Sequence, residues 1–194
     1  MNTPNKLTLA RMIATPIFMA TMLIEFPYHY LVSLVLFAAA SLTDMIDGKM
    51  ARKYNLVTDF GKFLDPLADK MLTTSAYLGF LFVFAKSGVY GRQMTTIVFI
   101  VLFREFMVSS LRLVTAKSGL VVAANIWGKL KTVSQMVGLV TALFLYTLLC
   151  DFGLTLQPVC DIIIMVLFWI SAVLCVISGL IYLNQCKGYI NSSK

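Results

Sequence analysis

One histidine, four cysteines and nine acidic residues are all that this 194-residue chain offers of the side chains that most often carry catalysis. The cysteines, Cys150, Cys160, Cys175 and Cys186, show no CxxC spacing and have no histidine beside them, which argues against a zinc site. Cys150 and Cys160 could pair across a loop, but buried thiols are the expected state. Strict apolar–polar alternation is missing too, which excludes a transmembrane barrel. There is no repeat, low-complexity tract or linker, so residues 1–194 read as a single domain.

What remains is hydrocarbon. Hydrophobic residues make up 59% of the chain and the mean hydropathy is +0.86. A bilayer-spanning helix needs roughly twenty mostly apolar residues. Six such runs lie near 7–24, 29–48, 66–86, 93–115, 126–149 and 159–183. The expected fold is an all-α integral membrane protein of six transmembrane helices with a polar cavity facing the cytoplasm. Thr3-Pro4 reads as the start of the first helix, which is retained rather than cleaved as a signal peptide. Pro66 reads as helix-entry geometry in the third.

Basic residues set the orientation. Lys6, Lys49, Arg52, Lys53, Lys62, Arg112, Lys117, Lys129, Lys131, Lys187 and Lys194 fall at one set of helix ends, and only Lys86 and Arg92 at the other. Both termini are therefore expected in the cytoplasm of a bacterial cell, with the protein multi-pass in its inner, or plasma, membrane. The net charge of +7 suits anionic lipids or anionic substrates. Its charges are dispersed among apolar helices without any nucleic-acid motif. His29 falls at the outer face, which excludes histidine catalysis as the main mechanism.

Four of the nine acidic residues stand within 26 positions: Asp44, Asp47, Asp65 and Asp69. An aspartate inside a membrane helix costs about 2.5 to 3.5 kcal/mol, so such residues are functional candidates by default. Asp44 and Asp47 share one helix face at i,i+3, as do Asp65 and Asp69 at i,i+4. On neighbouring antiparallel helices the two pairs converge. Four bare carboxylates would repel one another, and divalent cations remove that conflict. Hard oxygen donors select Mg²⁺ or Mn²⁺, and two such ions suit displacement at phosphorus. One carboxylate could deprotonate an attacking alcohol. Gly48 and Gly61 admit a phosphate or sugar close to the backbone, and Arg52 could clamp a diphosphate.

The full run is Asp44-x-x-Asp47-Gly48-x-x-Ala51-Arg52, eight residues, then Gly61-x-x-x-Asp65-x-x-x-Asp69. It resembles the signature of the CDP-alcohol phosphotransferases, with every fixed position present. The resemblance implies a six-helix fold, usually dimeric, and transfer of a substituted phosphate from a CDP-linked donor to an alcohol, releasing CMP. It implies metal ligation by Asp44, Asp47 and Asp65, and a general base at Asp69 that also touches the second metal. Gly48 and Arg52 correspond to contacts with the CDP part of the donor. Thr58 lies where the family often has another nucleotide contact, and Asn5 with Thr8 resembles a donor-binding element.

The acceptor is addressed by other charges. Arg104 and Arg112 share a helix face about 12 Å apart, and Lys129 and Lys131 stand at the start of the fifth run. Together they form a candidate pocket for an acceptor that bears its own phosphate, although the two lysines read equally as headgroup anchors. The stretches Pro4–Arg11 and Phe63–Lys70 and the pair Arg104-Glu105 resemble the family branch that moves phosphatidyl from CDP-diacylglycerol to glycerol-3-phosphate. Inositol phosphate, serine and phosphatidylglycerol are the alternative acceptors. A cation- or proton-coupled transporter is the competing class, but its site would sit near the bilayer midplane on broken helices. Arg104 and Glu105, being adjacent, are expected to point apart, either one pairing with another helix. Asp151 and Asp161 are expected to be solvated. Trp127 and Trp169 read as interface or lipid-packing residues.

Overall fold

The computed structural model describes the backbone of residues 3–53, 59–117 and 126–190, and the side chains of 5–44, 64, 66–115 and 126–186. Six α-helices fill these stretches: α1 (Thr3–Leu23), α2 (His29–Lys53), α3 (Asp59–Phe84), α4 (Gly88–Lys117), α5 (Ile126–Tyr146) and α6 (Gln157–Ile190). A single π-helical turn, Thr147–Asp151, continues α5. No strand occurs among the described residues.

The helices carry apolar side chains on their outer faces as well as in the core. In α1 the buried stripe is Asn5, Thr8, Arg11, Thr15, Phe18 and Met22, polar over its first three turns. The exposed stripe is Leu9, Ile13 and Ile17. Val159, Ile163, Val166, Ile170 and Val173 give α6 the same apolar outer face. Lipid tails are as apolar as leucine, so such faces cost nothing in a bilayer.

Among the described residues, four helices are long and apolar enough to cross a membrane: Asn5–Leu23, Pro66–Phe84, Ile126–Asp151 and Gln157–Cys186. That is fewer than the six spans expected, although all six helices form. In α2 the described side chains from His29 to Asp44 form an apolar stretch of about 24 Å. In α4 the centre carries Arg104 and Glu105. The third helix also starts earlier than its apolar run, because the polar turns at Asp59–Lys62 are helical. Pro66 is thus inside α3 rather than at its entry, and it cannot donate to the carbonyl of residue 62.

The chain divides into two compact units, Met1–Val83 with Leu139–Asp161, and Phe84–Gly138 with Ile162–Lys194. In the first unit α1 and α2 form an antiparallel hairpin. Its contacts step away from the turn: the hydroxyls of Thr21 and Ser33 at 2.7 Å, then the rings of Phe18 and Phe37 at 5.7 Å, then Arg11 with Asp44. Tyr146 of α5 packs against Tyr30 of α2 and edge-on to Phe80 of α3, with centroids 5.2 and 5.7 Å away. Met22 of α1 packs onto Gly79 of α3, where an added Cβ would lie 2.9 Å from the methionine Cε.

Asp151 and Asp161 are not solvated ends. The Leu31 amide donates to Asp151 Oδ2 at 2.7 Å, so a carboxylate 120 residues away satisfies one of the first-turn donors of α2. The Tyr146 hydroxyl donates to Asp161 at 3.0 Å, and Asp161 is buried. Cys150 is a free, exposed thiol, against the expectation of burial, while Cys160, Cys175 and Cys186 are free and buried.

In the second unit Trp169 of α6 donates to Gln93 of α4 at 3.3 Å, and Gln135 of α5 donates to the Cys175 sulfur of α6 at 3.6 Å. Trp169 therefore serves packing between helices.

Candidate active site

The signature residues stand at the end of α2 and the start of α3. Asp44, Asp47, Gly48 and Arg52 occupy the last three turns of α2; Gly61, Asp65 and Asp69 occupy the first three turns of α3. Five residues, 54–58, join the two helices, which holds those ends within about 20 Å. Thr58 lies outside the described residues, as do the side chains of Asp47, Gly48, Arg52, Gly61 and Asp65.

Where side chains are described, the site can be built upward from α1. Asn5, Thr8 and Arg11 recur at helical spacing on its buried face. Among the described residues Arg11 is the largest fully buried side chain, and its guanidinium Nη1 donates to Asp44 Oδ1. The partners are unequal: the arginine side chain is 1% exposed and the aspartate 40%. A charge so deeply buried is sustained only by pairing and hydrogen bonds. Thr15 steadies the same turn by donating to the Arg11 carbonyl at 2.9 Å.

Asp69 is placed by its distance along α3. The Met22–Gly79 contact fixes one depth shared by α1 and α3. At 1.5 Å per residue, Arg11 lies about 16 Å below Met22 and Asp69 about 15 Å below Gly79. Arg11 and Asp69 thus lie at similar distances along their helices from that contact, with Thr8 and Asn5 about one and two turns nearer the start of α1. Asp69 is half-buried, and its backbone carbonyl accepts from Thr73 at 3.1 Å.

The candidate acceptor residues belong to the second unit. Lys131 is buried, and its ammonium is held by Glu105 of α4. The same carboxylate oxygen accepts from Arg104 at 3.4 Å. The expectation that Arg104 and Glu105 point apart is therefore corrected: their long side chains fold back to meet, and Lys131 of α5 completes the bridge. Arg104 Nε is buried without a partner among the described residues. Lys129 is exposed, because two residues along a helix rotate a side chain by about 200°. Arg112 is exposed and lies over the Tyr182 ring, 5.7 Å from its centroid.

The sequence profile of CDP-alcohol phosphatidyltransferase matches residues 1–177. The chain belongs to that family. Relatives of near-identical length agree. A Bacillus subtilis protein is 42% identical over 95% of this chain and 94% of its own. One from Rickettsia bellii is 38% identical over 97% of each, and one from Salmonella typhimurium 34% over 96% of each. All three are named CDP-diacylglycerol–glycerol-3-phosphate 3-phosphatidyltransferase.

Arg11 is the member of the site that sequence reasoning missed. The sequence places it at the end of the Pro4–Arg11 stretch without assigning it a partner or a role. The available signal was its spacing: with Asn5 and Thr8 it completes a polar face at i, i+3, i+6.

Proposed function

We propose that this chain moves the phosphatidyl group of CDP-diacylglycerol to glycerol-3-phosphate, releasing CMP. The observation that carries the reading is the near full-length similarity to relatives bearing that name. The complete eight-position signature at the end of α2 and the start of α3 supports it independently.

Asp69 takes the proton from the acceptor hydroxyl. The freed oxygen bonds to the phosphorus that carries diacylglycerol, and the bond from that phosphorus to the CMP oxygen breaks. Gly48, Arg52, Thr58, Gly61, Asn5 and Thr8 hold the donor. Arg112, Lys131 and Arg104 meet the acceptor phosphate, with Glu105 fixing the last two, and the exposed Lys129 serves as the headgroup anchor.

The donor set fits Mg²⁺ or Mn²⁺, because it consists of carboxylates alone and Asp44 keeps part of its surface open. Asp44, Asp47, Asp65 and Asp69 would hold two such ions, which when bound neutralise the diphosphate and the departing CMP. The enzyme works as a homodimer in the bacterial plasma membrane, its six helices spanning and its termini and site cytoplasmic. The distribution of basic residues supports that orientation.

Purified protein in detergent with Mg²⁺ or Mn²⁺ should release CMP from CDP-diacylglycerol when glycerol-3-phosphate is present. Inositol phosphate, serine and phosphatidylglycerol should not substitute. Release with one of those instead would reassign the acceptor, and release with none of the four would sink the reading.

A further inference from the structure

We infer that Arg11 is a positioning residue for the metal-binding aspartates, holding Asp44 by one carboxylate oxygen and keeping ion binding weak enough to exchange. The inference rests on the metal reading above and extends it to a residue outside the signature.

Three features of the pair point this way. First, the cation is the fixed member. Arg11 is enclosed, and its helical turn is braced by Thr15. Second, the anion is the accessible member, with 40% of its side chain open. Arg11 takes Oδ1, and Oδ2 is the oxygen presented to an ion. Third, the contact crosses between α1 and α2, so the packing of the hairpin is converted directly into the orientation of one carboxylate. Partners of this kind commonly set the affinity and geometry of a metal site.

Charge gives the sign of the effect. Arg11 supplies a positive charge beside a carboxylate that must also accept a divalent cation. Like charges at this range oppose each other, so the arginine lowers ion affinity while it improves carboxylate placement. Removing the charge should tighten the ion and slow the chemistry, a split that a purely structural residue would not produce.

The test is Mn²⁺ titration of the full-length protein in detergent, read by loss of the free-ion EPR signal, alongside CMP release. Arg11→Met should bind Mn²⁺ about tenfold more tightly than the parent. Its turnover should fall about 10- to 100-fold at saturating metal. Arg11→Lys keeps the charge and should hold Mn²⁺ with parental affinity. Arg11→Gln is equally neutral and carries the same test should the methionine variant not fold. Neutral variants with unchanged or weaker Mn²⁺ affinity, or with parental turnover, would overturn the inference. A parent protein that binds no Mn²⁺ and releases CMP undiminished in EDTA would instead overturn the metal reading itself.

Discussion

Arg11 and Asp44 form an ion pair whose two ends live in different surroundings: the guanidinium is enclosed by protein, and the carboxylate reaches an open face. Cutting the pair from either side should therefore have unequal consequences. Asp44→Ala removes the carboxylate from a buried cation, a loss of about 3 to 5 kcal/mol. Arg11→Met leaves a carboxylate that water can reach, and should cost about 1 kcal/mol. Thermal unfolding of the metal-free protein in detergent will show the difference, and equal losses would contradict it.

Asp69→Asn should lower turnover by about 10² to 10⁴-fold, the usual contribution of a general base. The half-buried side chain is nearly isosteric, so the fold and CDP-diacylglycerol binding should persist. Near-parental turnover would remove Asp69 from the role of base.

Glu105 joins Arg104 and Lys131, so single substitutions there strand buried charge. Lys131→Met and Glu105→Gln should each destabilise the protein, and the double variant should recover about 1 to 3 kcal/mol relative to their sum. A double variant that is stable yet slow with glycerol-3-phosphate would separate the structural use of Lys131 from its use in binding the acceptor. Additive losses would show that the bridge is energetically idle.

Asp151 closes the open end of α2 through the Leu31 amide. Asp151→Ala should cost about 0.5 to 2 kcal/mol, the usual range for a lost helix cap, and Asp151→Asn much less. Hydrogen exchange at the Leu31 amide is the direct measurement, because the alanine variant should speed exchange there before it affects α6.

The helices themselves were plain in the amino-acid order because a bilayer demands long unbroken apolar runs, and nothing else in the chain imitates them. The signature aspartates were equally plain, since their cost in such surroundings makes them stand out. The partnerships were not. Asp151 lies 120 residues from the amide it accepts, and hydropathy near Asp151 describes only a loop. Lys129 and Lys131 looked like a matched pair, yet helical rotation sends one outward and the other to Glu105. The early start of α3 escaped because Asp59–Lys62 is helical without being apolar. Contacts between distant segments leave no periodic trace.

The polar face of α1 also bears on how the chain is assembled. An arginine well inside a membrane helix raises the cost of insertion by about 2.5 to 3.5 kcal/mol, and Pro16 adds a second weakness to the same segment. A neutralising partner, Asp44, is made 33 residues later. During synthesis α1 is therefore a reluctant passenger in the bilayer until α2 emerges beside it, and the two should enter as a hairpin. The charge pair that steadies the finished site is on this account also the latch that commits the newborn chain to the membrane.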